Sequence, residues 1–249
     1  MLRVSAIVVS FNTKDLLARC LKSLGEADEV IVVDNNSSDG SADMVAEQFP
    51  TVTLIRNEVN VGFGRANNQG LEVMSGDLAL LINSDIEAQP DSINTLRSVM
   101  EDKSIVACGG MLLGPDGTPQ RSAANELEMA ALFCEQYYLE KLFPNSKSFS
   151  PYWVNPDKTE PTEVAQVMGA CLCFRPVERF DERFFLYCED TELCKRLAGH
   201  GKVFYVPAAK FIHELGASSQ DRWRAVALYN RGKELYFKIH HGKAAAFLA

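Results

Sequence analysis

The stretch Leu78-Ala-Leu-Leu-Ile-Asn-Ser-Asp85 decides the fold of this chain. Five apolar residues in a row end in three polar ones, with Gly76-Asp77 before them and Gln89-Pro90 after the stretch. A short apolar run with such boundaries predicts a strand that is buried on both faces. Because ligands of open α/β sheets bind just beyond the carboxyl ends of the strands, we expect Asp85 at the edge of a binding crevice.

The first half of the chain repeats this strand pattern and alternates it with helices. Further strands are predicted over residues 4–9, 30–33 and 52–55. Strands that alternate with helical segments predict an α/β fold with a mostly parallel central sheet and helices on both faces. The polar residues that follow the strands, Ser10, Asp34 and Asp85, should therefore meet at one edge of that sheet.

The second half has a less regular pattern. It predicts an amphipathic helix near residues 93–100, strands over 105–108, 165–174 and 203–206, a hairpin turn at 115–117 and a final helix over about 222–239. Pro207 is expected to end the strand before it, which leaves His213 in a loop. For residues 122–163 we predict a helix from Leu127 to Leu142 and an irregular loop from Pro144 to Pro161. No repeat or linker interrupts the sequence, so a single domain is predicted.

Composition limits the classes of function. The chain has 249 residues, 47% of them hydrophobic, which is enough for a sizeable core, and its net charge is −8. An acidic surface argues against broad nucleic-acid binding, which needs a basic face. A local basic pocket for a phosphorylated ligand stays compatible with this charge.

Cysteine usage and hydropathy bear on the compartment. The seven cysteines have no paired CxxC spacing, which disfavours a disulfide framework and a zinc site and favours reduced thiols in the cytoplasm. The apolar segment Met1–Ser10 lacks a small-residue cleavage site and is expected to be a first strand, not a signal peptide. No apolar run approaches the roughly 20 residues of a membrane helix.

Asp85 and Asn83 are candidates for a metal site. A carboxylate and an amide suit a hard divalent cation, Mg²⁺ or Mn²⁺, which takes oxygen ligands and often bridges to substrate phosphates. The alternative is that Asp85 opens the turn before Pro90.

Asp34 ends the second predicted strand. Its carboxylate could accept a hydrogen bond from a ribose hydroxyl or a base edge, or it could cap the polar loop that follows. A nicotinamide-binding fold would require G-x-G-x-x-G directly after the first strand. The turn from Ser10 to Asp15 contains no glycine, and Gly62-Phe-Gly64 lacks the third one, so hydride transfer is disfavoured.

Three further positions have two interpretations each. Glu189-Asp190 begins a predicted helix, where the helix dipole should keep carboxylates ionised, and the pair could supply a general base or merely cap the helix. His213 could ligate a metal through a neutral imidazole nitrogen or be a hydrogen-bonded structural residue. Arg196 could reach a phosphate or form a surface ion pair.

Several motifs occur in a characteristic order. They are Ser10-Phe-Asn, Val32-Val-Asp34-Asn-Asn-Ser-Ser-Asp39-Gly, Asn60-x-Gly-Phe-Gly-x-Ala66-x-Asn68-x-Gly70 and Asn83-Ser-Asp85. In this order they resemble the nucleotide-sugar glycosyltransferases of family 2. Phe184-Phe-Leu-Tyr-Cys-Glu189-Asp190-Thr-Glu-Leu193-Cys-x-Arg196 and His213-x-x-Gly216-x-Ser218 resemble the rhamnosyltransferase branch of that family.

The resemblance implies a GT-A fold in one domain, residues 1–249, with a nucleotide-binding half (1–108) and an irregular acceptor-binding half (109–249). It implies that a nucleotide-sugar donor contacts Ser10, Phe11, Asp34, Gly62, Asn67, Asn83 and Asp85. It also implies a Mg²⁺ or Mn²⁺ ion on Asp85, with His213 completing the site. The family's Asp-x-Asp metal motif has an amide at its first position here, Asn83, which lowers the expected metal affinity.

The same resemblance makes Asp190 the base of an inverting transfer. The sugar would move from dTDP-rhamnose or a UDP-sugar to a hydroxyl of a saccharide or lipid-linked acceptor, in polysaccharide or cell-envelope biosynthesis. Two other functions stay open: a non-catalytic nucleotide-sugar binding module, favoured by Asn83, and a nucleotidyltransferase, which should have a glycine-rich basic loop after the first strand. The final helix mixes aromatic and basic residues and either contacts a membrane surface peripherally or packs on the core.

Overall fold

The computed structural model describes residues 1–143, 146, 148–155, 158–214 and 222–248. Its helices are α1 (Lys14–Ser23), α2 (Ser41–Gln48), α3 (Phe63–Val73), α4 (Ser92–Val99), α5 (Met129–Gln136), α6 (Leu139–Leu142), α7 (Glu189–Leu197), α8 (Arg222–His240) and α9 (Lys243–Leu248). Its strands are β1 (Val4–Ser10), β2 (Glu29–Asp34), β3 (Thr53–Arg56), β4 (Leu78–Asn83), β5 (Ile86–Ala88), β6 (Ile105–Leu113), β7 (Ala123–Ala124), β8 (Thr162–Val164), β9 (Gln166–Val167), β10 (Cys171–Phe174) and β11 (Lys202–His213).

In the described part of the chain, nine strands form one central sheet in the order β3-β2-β1-β4-β10-β6-β11-β5, with β8 paired to β11. The first four strands are parallel, as the alternation of strands and helices predicted. Five of the six residues of β4 are buried, and Asn83 is half-buried. This agrees with a strand covered on both faces.

The second half of the chain completes the same sheet with mixed pairing. β10 lies antiparallel between β4 and β6, while β6 and β11 are parallel and β5 and β8 pair antiparallel with β11. The sheet therefore crosses the predicted boundary between the halves at residues 108 and 109.

Apolar residues fill both faces of the sheet. Leu17, Cys20 and Leu21 of α1 pack on one face, in a cluster with Val8 and Leu80. The other face holds Ala66 and Leu71 of α3 together with Leu193, Cys194 and Leu197 of α7. A smaller cluster lies beside the sheet, where Tyr236 and Phe237 of α8 are buried. Two aromatic residues of the final helix, Tyr236 and Phe237, are thus accounted for by core packing.

The prediction that Pro207 ends its strand is wrong. β11 continues to His213, because the pairing with β6 shifts between Val206 and Lys210 and Pro207 lies within that irregularity. Proline lacks a donor for the ladder and is tolerated where the ladder is interrupted. His213 therefore ends a strand and does not lie in a loop.

Two other predicted elements are divided. The helix predicted from Leu127 to Leu142 is α5 and α6, separated at Tyr138, which has a φ of 57°. The strand predicted over 165–174 is β9 and β10, with Gly169 between them. The hairpin turn at 115–117 is confirmed by the hydrogen bond from Gly114 N–H to Thr118 O at 2.8 Å.

Parts of two predictions fall outside the described residues. These are Pro144, Asn145, Lys147, Pro156 and Asp157 of the irregular loop, and Gly216 and Ser218 of the motif after His213. Among the described residues, no helix has the length and apolar character needed to cross a membrane. All seven cysteines are buried and unpaired, as expected for reduced thiols.

Candidate active site

Three strand ends form one edge of the sheet. The register places Ser10 opposite Asp34 and Val9 opposite Asn83. Since neighbouring strands lie about 4.8 Å apart, the backbones of Asp34 and Asn83 are roughly 10 Å apart across β1. The hydroxyl of Thr13 donates to Ser84 Oγ at 2.9 Å and joins the end of β1 to the end of β4.

The Asp34 carboxylate has one occupied oxygen and one without a partner. The side chain is buried, and its Oδ2 accepts a hydrogen bond from Ser37 N–H at 2.9 Å. Oδ1 is buried and has no hydrogen-bond partner among the described residues. A buried carboxylate oxygen without a donor is costly, so this edge suits a ligand that donates a hydrogen bond. The capping interpretation and the binding interpretation of Asp34 are thus both compatible with its geometry.

His213 lies beside Asp85 because β5 pairs with β11. The register places His213 opposite Ile86, and the imidazole Nε2 is 3.5 Å from Asp85 Oδ1, with both side chains buried. Gln120 fixes the ring: its Nε2 donates to His213 O at 3.0 Å, and its Oε1 lies 3.0 Å from His213 Nδ1. Because Gln120 Oε1 can only accept, Nδ1 carries a proton, and Nε2 is the ring nitrogen that faces Asp85.

Asp190 is held at the start of α7 by two backbone donors. Its Oδ2 accepts from Gly169 N–H and its Oδ1 from Thr191 N–H, each at 2.8 Å. A Cβ on Gly169 would lie 3.1 Å from the Cβ of Asp190, so glycine permits this close approach. The next residue, Ala170, accepts from Asn83 N–H at 3.0 Å. Asp190 therefore lies at the same edge of the sheet as the end of β4.

The turn at Gly62 connects the remaining parts of this edge. Gly62 has a φ of +89°, and a Cβ there would lie 2.6 Å from Phe185 O. Phe63 N–H donates to the same carbonyl at 2.8 Å, and Asn35 Nδ2 donates to Gly62 O at 3.2 Å. The turn thus joins the end of β2 to the segment that leads into α7. Through these contacts Asp34, Asp85 and Asp190 belong to one polar edge.

A family model named Glycosyl transferase family 2 matches residues 5–160. The chain belongs to glycosyl transferase family 2. The match includes Asp34, the Gly62 turn and Asp85, and ends before α7.

One relative matches nearly the whole chain. It is the N-acetylglucosaminyl-diphospho-decaprenol L-rhamnosyltransferase of Mycobacterium tuberculosis, 29% identical over 98% of this chain and 83% of its own length. The family and the rhamnosyltransferase resemblance inferred from the motifs are thereby confirmed.

Solved structures of glycosyltransferases share the fold. GalNAc-T7, solved with UDP, GalNAc and Mn²⁺, superposes with a TM-score of 0.67 at 14% identity over 96% of this chain. The mannosyltransferase PcManGT of Pyrobaculum calidifontis, solved with GDP-Man and Mn²⁺, has a TM-score of 0.62 at 17% identity over 99% of this chain. The chain spans 48% of the first structure and 70% of the second. The GT-A fold is confirmed by these likenesses.

Within this family member, burial raises the pKa of both carboxyls of the acid pair. Burial raises the pKa of the Asp190 carboxyl above its ordinary value, although hydrogen bonds from Gly169 and Thr191 act in the opposite direction. Burial and the adjacent Asp190 charge raise the pKa of Glu189 to about 8, and Glu189 Oε2 has no partner among the described residues. The expectation that the helix start keeps both carboxyls ionised is therefore wrong for Glu189, because loss of solvation outweighs the helix dipole.

Asp85 and His213 fit a divalent ion that binds together with a diphosphate. The described residues contain no group of three or more His, Cys, Asp or Glu side chains that could hold a metal. Two ligands of an octahedral ion at about 2.1 Å lie roughly 3 Å apart, close to the 3.5 Å between Asp85 Oδ1 and His213 Nε2. Phosphate oxygens and water commonly supply the remaining ligands of such ions.

The other predicted positions differ in their surroundings. Ser10 is buried and its Oγ lies 3.3 Å from Thr13 Oγ1, whereas Phe11 is exposed at the end of β1. Asn67 is buried, with Nδ2 bonded to Phe63 O and Oδ1 without a partner among the described residues.

Arg196 forms ion pairs with Glu178 and Glu192, which agrees with the structural interpretation of that residue.

Gln120, which orients His213, is not predicted from the sequence. No local sequence pattern identifies Gln120. Gln120 and His213 are separated by 93 positions and meet only through the pairing of β6 with β11. Gly169 likewise lies 21 positions before its partner, Asp190, and the fold brings the two together.

Proposed function

We propose that the protein is an inverting, metal-assisted glycosyltransferase. It would move a sugar from a nucleoside-diphosphate donor, dTDP-rhamnose or a UDP-sugar, to a hydroxyl of a saccharide or lipid-linked acceptor. The observation that carries this proposal is the position of Asp190, held by Gly169 at the sheet edge that also bears Asp34 and Asp85. Family membership supports sugar transfer over nucleotidyl transfer.

The nucleotide would bind along the ends of β1 and β2. The unpartnered Oδ1 of Asp34 would accept from a ribose hydroxyl or a base N–H. Phe11, which is exposed, would contact the base, and the Gly62 turn would support the nucleotide from the other side. We assign Ser10, Asn67 and Asn83 to the same binding region.

Asp85 and His213 would hold Mg²⁺ or Mn²⁺ at the donor diphosphate. An ion there neutralises the negative charge that the departing nucleoside diphosphate develops. Gln120 would keep His213 Nε2 turned toward such an ion, because it holds the proton on Nδ1.

Asp190 would take the proton of the acceptor hydroxyl as that oxygen attacks the anomeric carbon. The bond from this carbon to the diphosphate breaks on the opposite face, so one displacement inverts the configuration. A raised pKa makes the carboxylate a stronger base than an exposed aspartate.

The rhamnosyltransferase relative supports a rhamnosyl donor and a lipid-diphosphate-linked saccharide acceptor. An acceptor of this kind would bring the protein, as a cytoplasmic enzyme, to the inner face of the membrane in cell-envelope or polysaccharide biosynthesis. The Mn²⁺ in the two glycosyltransferase structures supports use of a divalent ion.

The variant Asp190→Asn tests the proposal. A donor panel of dTDP-rhamnose, UDP-glucose, UDP-galactose and GDP-mannose, with and without Mn²⁺, first identifies the donor by its hydrolysis. We then expect Asp190→Asn to bind the nucleoside diphosphate normally and to lose about 10²–10⁴-fold in transfer rate.

The control is Asp43→Asn, on the exposed face of α2, which should transfer at the wild-type rate. Full transfer by Asp190→Asn would exclude Asp190 as the base, and donor binding without hydrolysis or transfer by the wild type would indicate a binding module.

A further inference from the structure

An aromatic cavity lies between α5, α6 and α8 in the second half of the chain. It has a volume of about 220 Å³ and is lined by the rings of Tyr152, Trp153 and Tyr229 and the carboxylates of Glu135 and Glu140, with Leu127 and Ala131 between them. Drug-sized ligands usually occupy roughly 300–1,000 Å³, so this aromatic cavity has room for about one ring.

Tyr152 connects the aromatic cavity to the proposed base. Its hydroxyl accepts a hydrogen bond from Gln166 Nε2 and lies near the side chain of Thr191, the residue after Asp190. Burial and the Asp190 charge both raise the pKa of Tyr152, which reflects how near the two groups are. Tyr152 thus lines the cavity and also lies near Asp190, although Asp190 itself is not part of the lining.

The lining has the chemistry of a carbohydrate site. Aromatic faces carry partial negative charge and attract the positively polarised C–H groups on the face of a sugar ring. Carboxylates accept strong hydrogen bonds from hydroxyls. Glu140 has no hydrogen bond or ion pair within the described residues and is available for such a contact.

The charges around the cavity balance. The buried ammonium of Lys233 is engaged by Glu135 at 3.2 Å and lies 4.5 Å from the centre of the Tyr229 ring. The guanidinium of Arg121 lies over the Trp153 ring at 5.6 Å. These two cations match the two carboxylates of the lining, Glu135 and Glu140, so the surroundings suit an uncharged ring.

We infer that the aromatic cavity is the subsite for a neutral pyranose ring of the acceptor, whose attacking hydroxyl then faces Asp190. This inference rests on the proposed function, since it assigns the acceptor side of the same reaction. The sugar ring stacks on Trp153 and Tyr229, and Glu140 accepts from its hydroxyls. Any diphosphate that links the ring to a lipid lies outside the cavity.

Binding of simple glycosides tests this assignment without turnover. The probes are the methyl glycosides of N-acetylglucosamine, glucose, galactose, mannose and rhamnose, measured by saturation-transfer NMR on the full chain with bound nucleoside diphosphate. We expect at least one of them to bind the wild type. Trp153→Ala should weaken that glycoside by about 5- to 10-fold, and Glu140→Gln should weaken it as well.

Two variants serve as matched controls. Trp223→Ala removes a tryptophan that is 83% exposed on α8, and Glu234→Gln changes an exposed carboxylate on the same helix. Both should bind the glycoside like the wild type, and the dissociation constant of the nucleoside diphosphate should be the same in all four variants. An unchanged dissociation constant of the nucleoside diphosphate also shows that Trp153→Ala is folded. Glu140→Gln provides a second, milder change in the cavity.

The inference is overturned if none of the glycosides binds the wild type. It is also overturned if the bound glycoside is unaffected by Trp153→Ala and Glu140→Gln. Failure of the proposed function is separate, because that would appear as absent donor hydrolysis or as undiminished transfer by Asp190→Asn.

Discussion

At the scale of single residues, the site depends on carboxylates in unequal surroundings. Asp34 keeps one oxygen without a partner, Asp85 faces an imidazole, and Asp190 accepts two backbone hydrogen bonds. Glu189 is buried beside Asp190 but lacks the hydrogen bonds from Gly169 and Thr191 that Asp190 accepts. These surroundings assign different tasks to side chains of the same chemical type.

Asp85→Ala should weaken metal-dependent binding of the nucleoside diphosphate. The variant loses the only carboxylate of the Asn83-Ser-Asp85 motif, so Mn²⁺ should improve its nucleotide affinity by less than half the factor seen in the wild type. Isothermal titration with and without a chelator measures this. Glu87→Gln, two residues away and paired with Arg19, is the control. A wild type that binds the nucleotide equally well with and without the chelator would contradict the metal assignment.

Glu189→Gln should change how stability depends on pH. The folded state holds the Glu189 proton up to about pH 8, whereas the unfolded carboxyl releases it near its ordinary pKa of 4.5. The contribution of Glu189 to stability is therefore fully present below pH 4.5 and is lost as the pH rises toward 8. Glutamine stays neutral, so the stability advantage of Glu189→Gln over the wild type should grow by about 2–4 kcal/mol between pH 5 and pH 8.

Urea unfolding at several pH values measures that advantage. Glu234→Gln, in an exposed position of α8, should show no such trend. A constant difference between Glu189→Gln and the wild type would mean that Glu189 is ionised in the folded protein throughout this range.

At the scale of secondary-structure elements, tight backbone contacts position the site. The pairing of β5 with β11 brings His213 to Asp85, and the Gly62 turn docks against the segment before α7. Both contacts are made by backbone atoms on each side, so neither allows much displacement. The elements that carry Asp85 and Asp190 are thereby held in one arrangement.

Gly62→Ala should destabilise the protein far more than Gly117→Ala. Both glycines have positive φ, +89° and +81°, so alanine costs about 1 kcal/mol at Gly117. The cost is higher at Gly62, because its ψ of 171° places it in a backbone region that is essentially restricted to glycine. Only at Gly62 would the new Cβ also meet Phe185 O, at 2.6 Å, which should raise the cost to about 2–4 kcal/mol. Thermal unfolding of the two variants gives the comparison. Equal losses would mean that the Phe185 contact relaxes freely.

At the scale of the whole molecule, one sheet joins both halves of the chain. β10, from the second half, lies between β4 of the first half and β6, and their pairing buries residues of all three strands. Neither half can complete its core without the other. We therefore keep the prediction of a single domain over residues 1–249.

Unfolding should be a single cooperative transition. Both tryptophans, Trp153 and Trp223, lie in the second half, so their fluorescence reports on that half, while far-UV circular dichroism reports on the whole chain. In a urea titration the two curves should coincide within error. Two separated transitions would indicate that residues 1–108 and 109–249 unfold independently.

The sequence by itself determined the alternation of strands and helices in residues 1–108. It also determined the polar residues at the strand ends and the order of motifs that identifies the family. These features are local: an apolar run, a glycine turn or a capped helix start is set by neighbouring residues. Asp34, Asp85 and Asp190 could be singled out for that reason.

The tertiary structure alone decided which distant side chains meet. The β5–β11 pairing beside Asp85, the orientation of His213 by Gln120 and the antiparallel insertion of β10 all join segments far apart in the chain. The protonation of Glu189 depends on the same packing, because desolvation is created only when α7 is covered by the rest of the fold. Such contacts depend on the sum of burial over many residues, which no short stretch of sequence encodes.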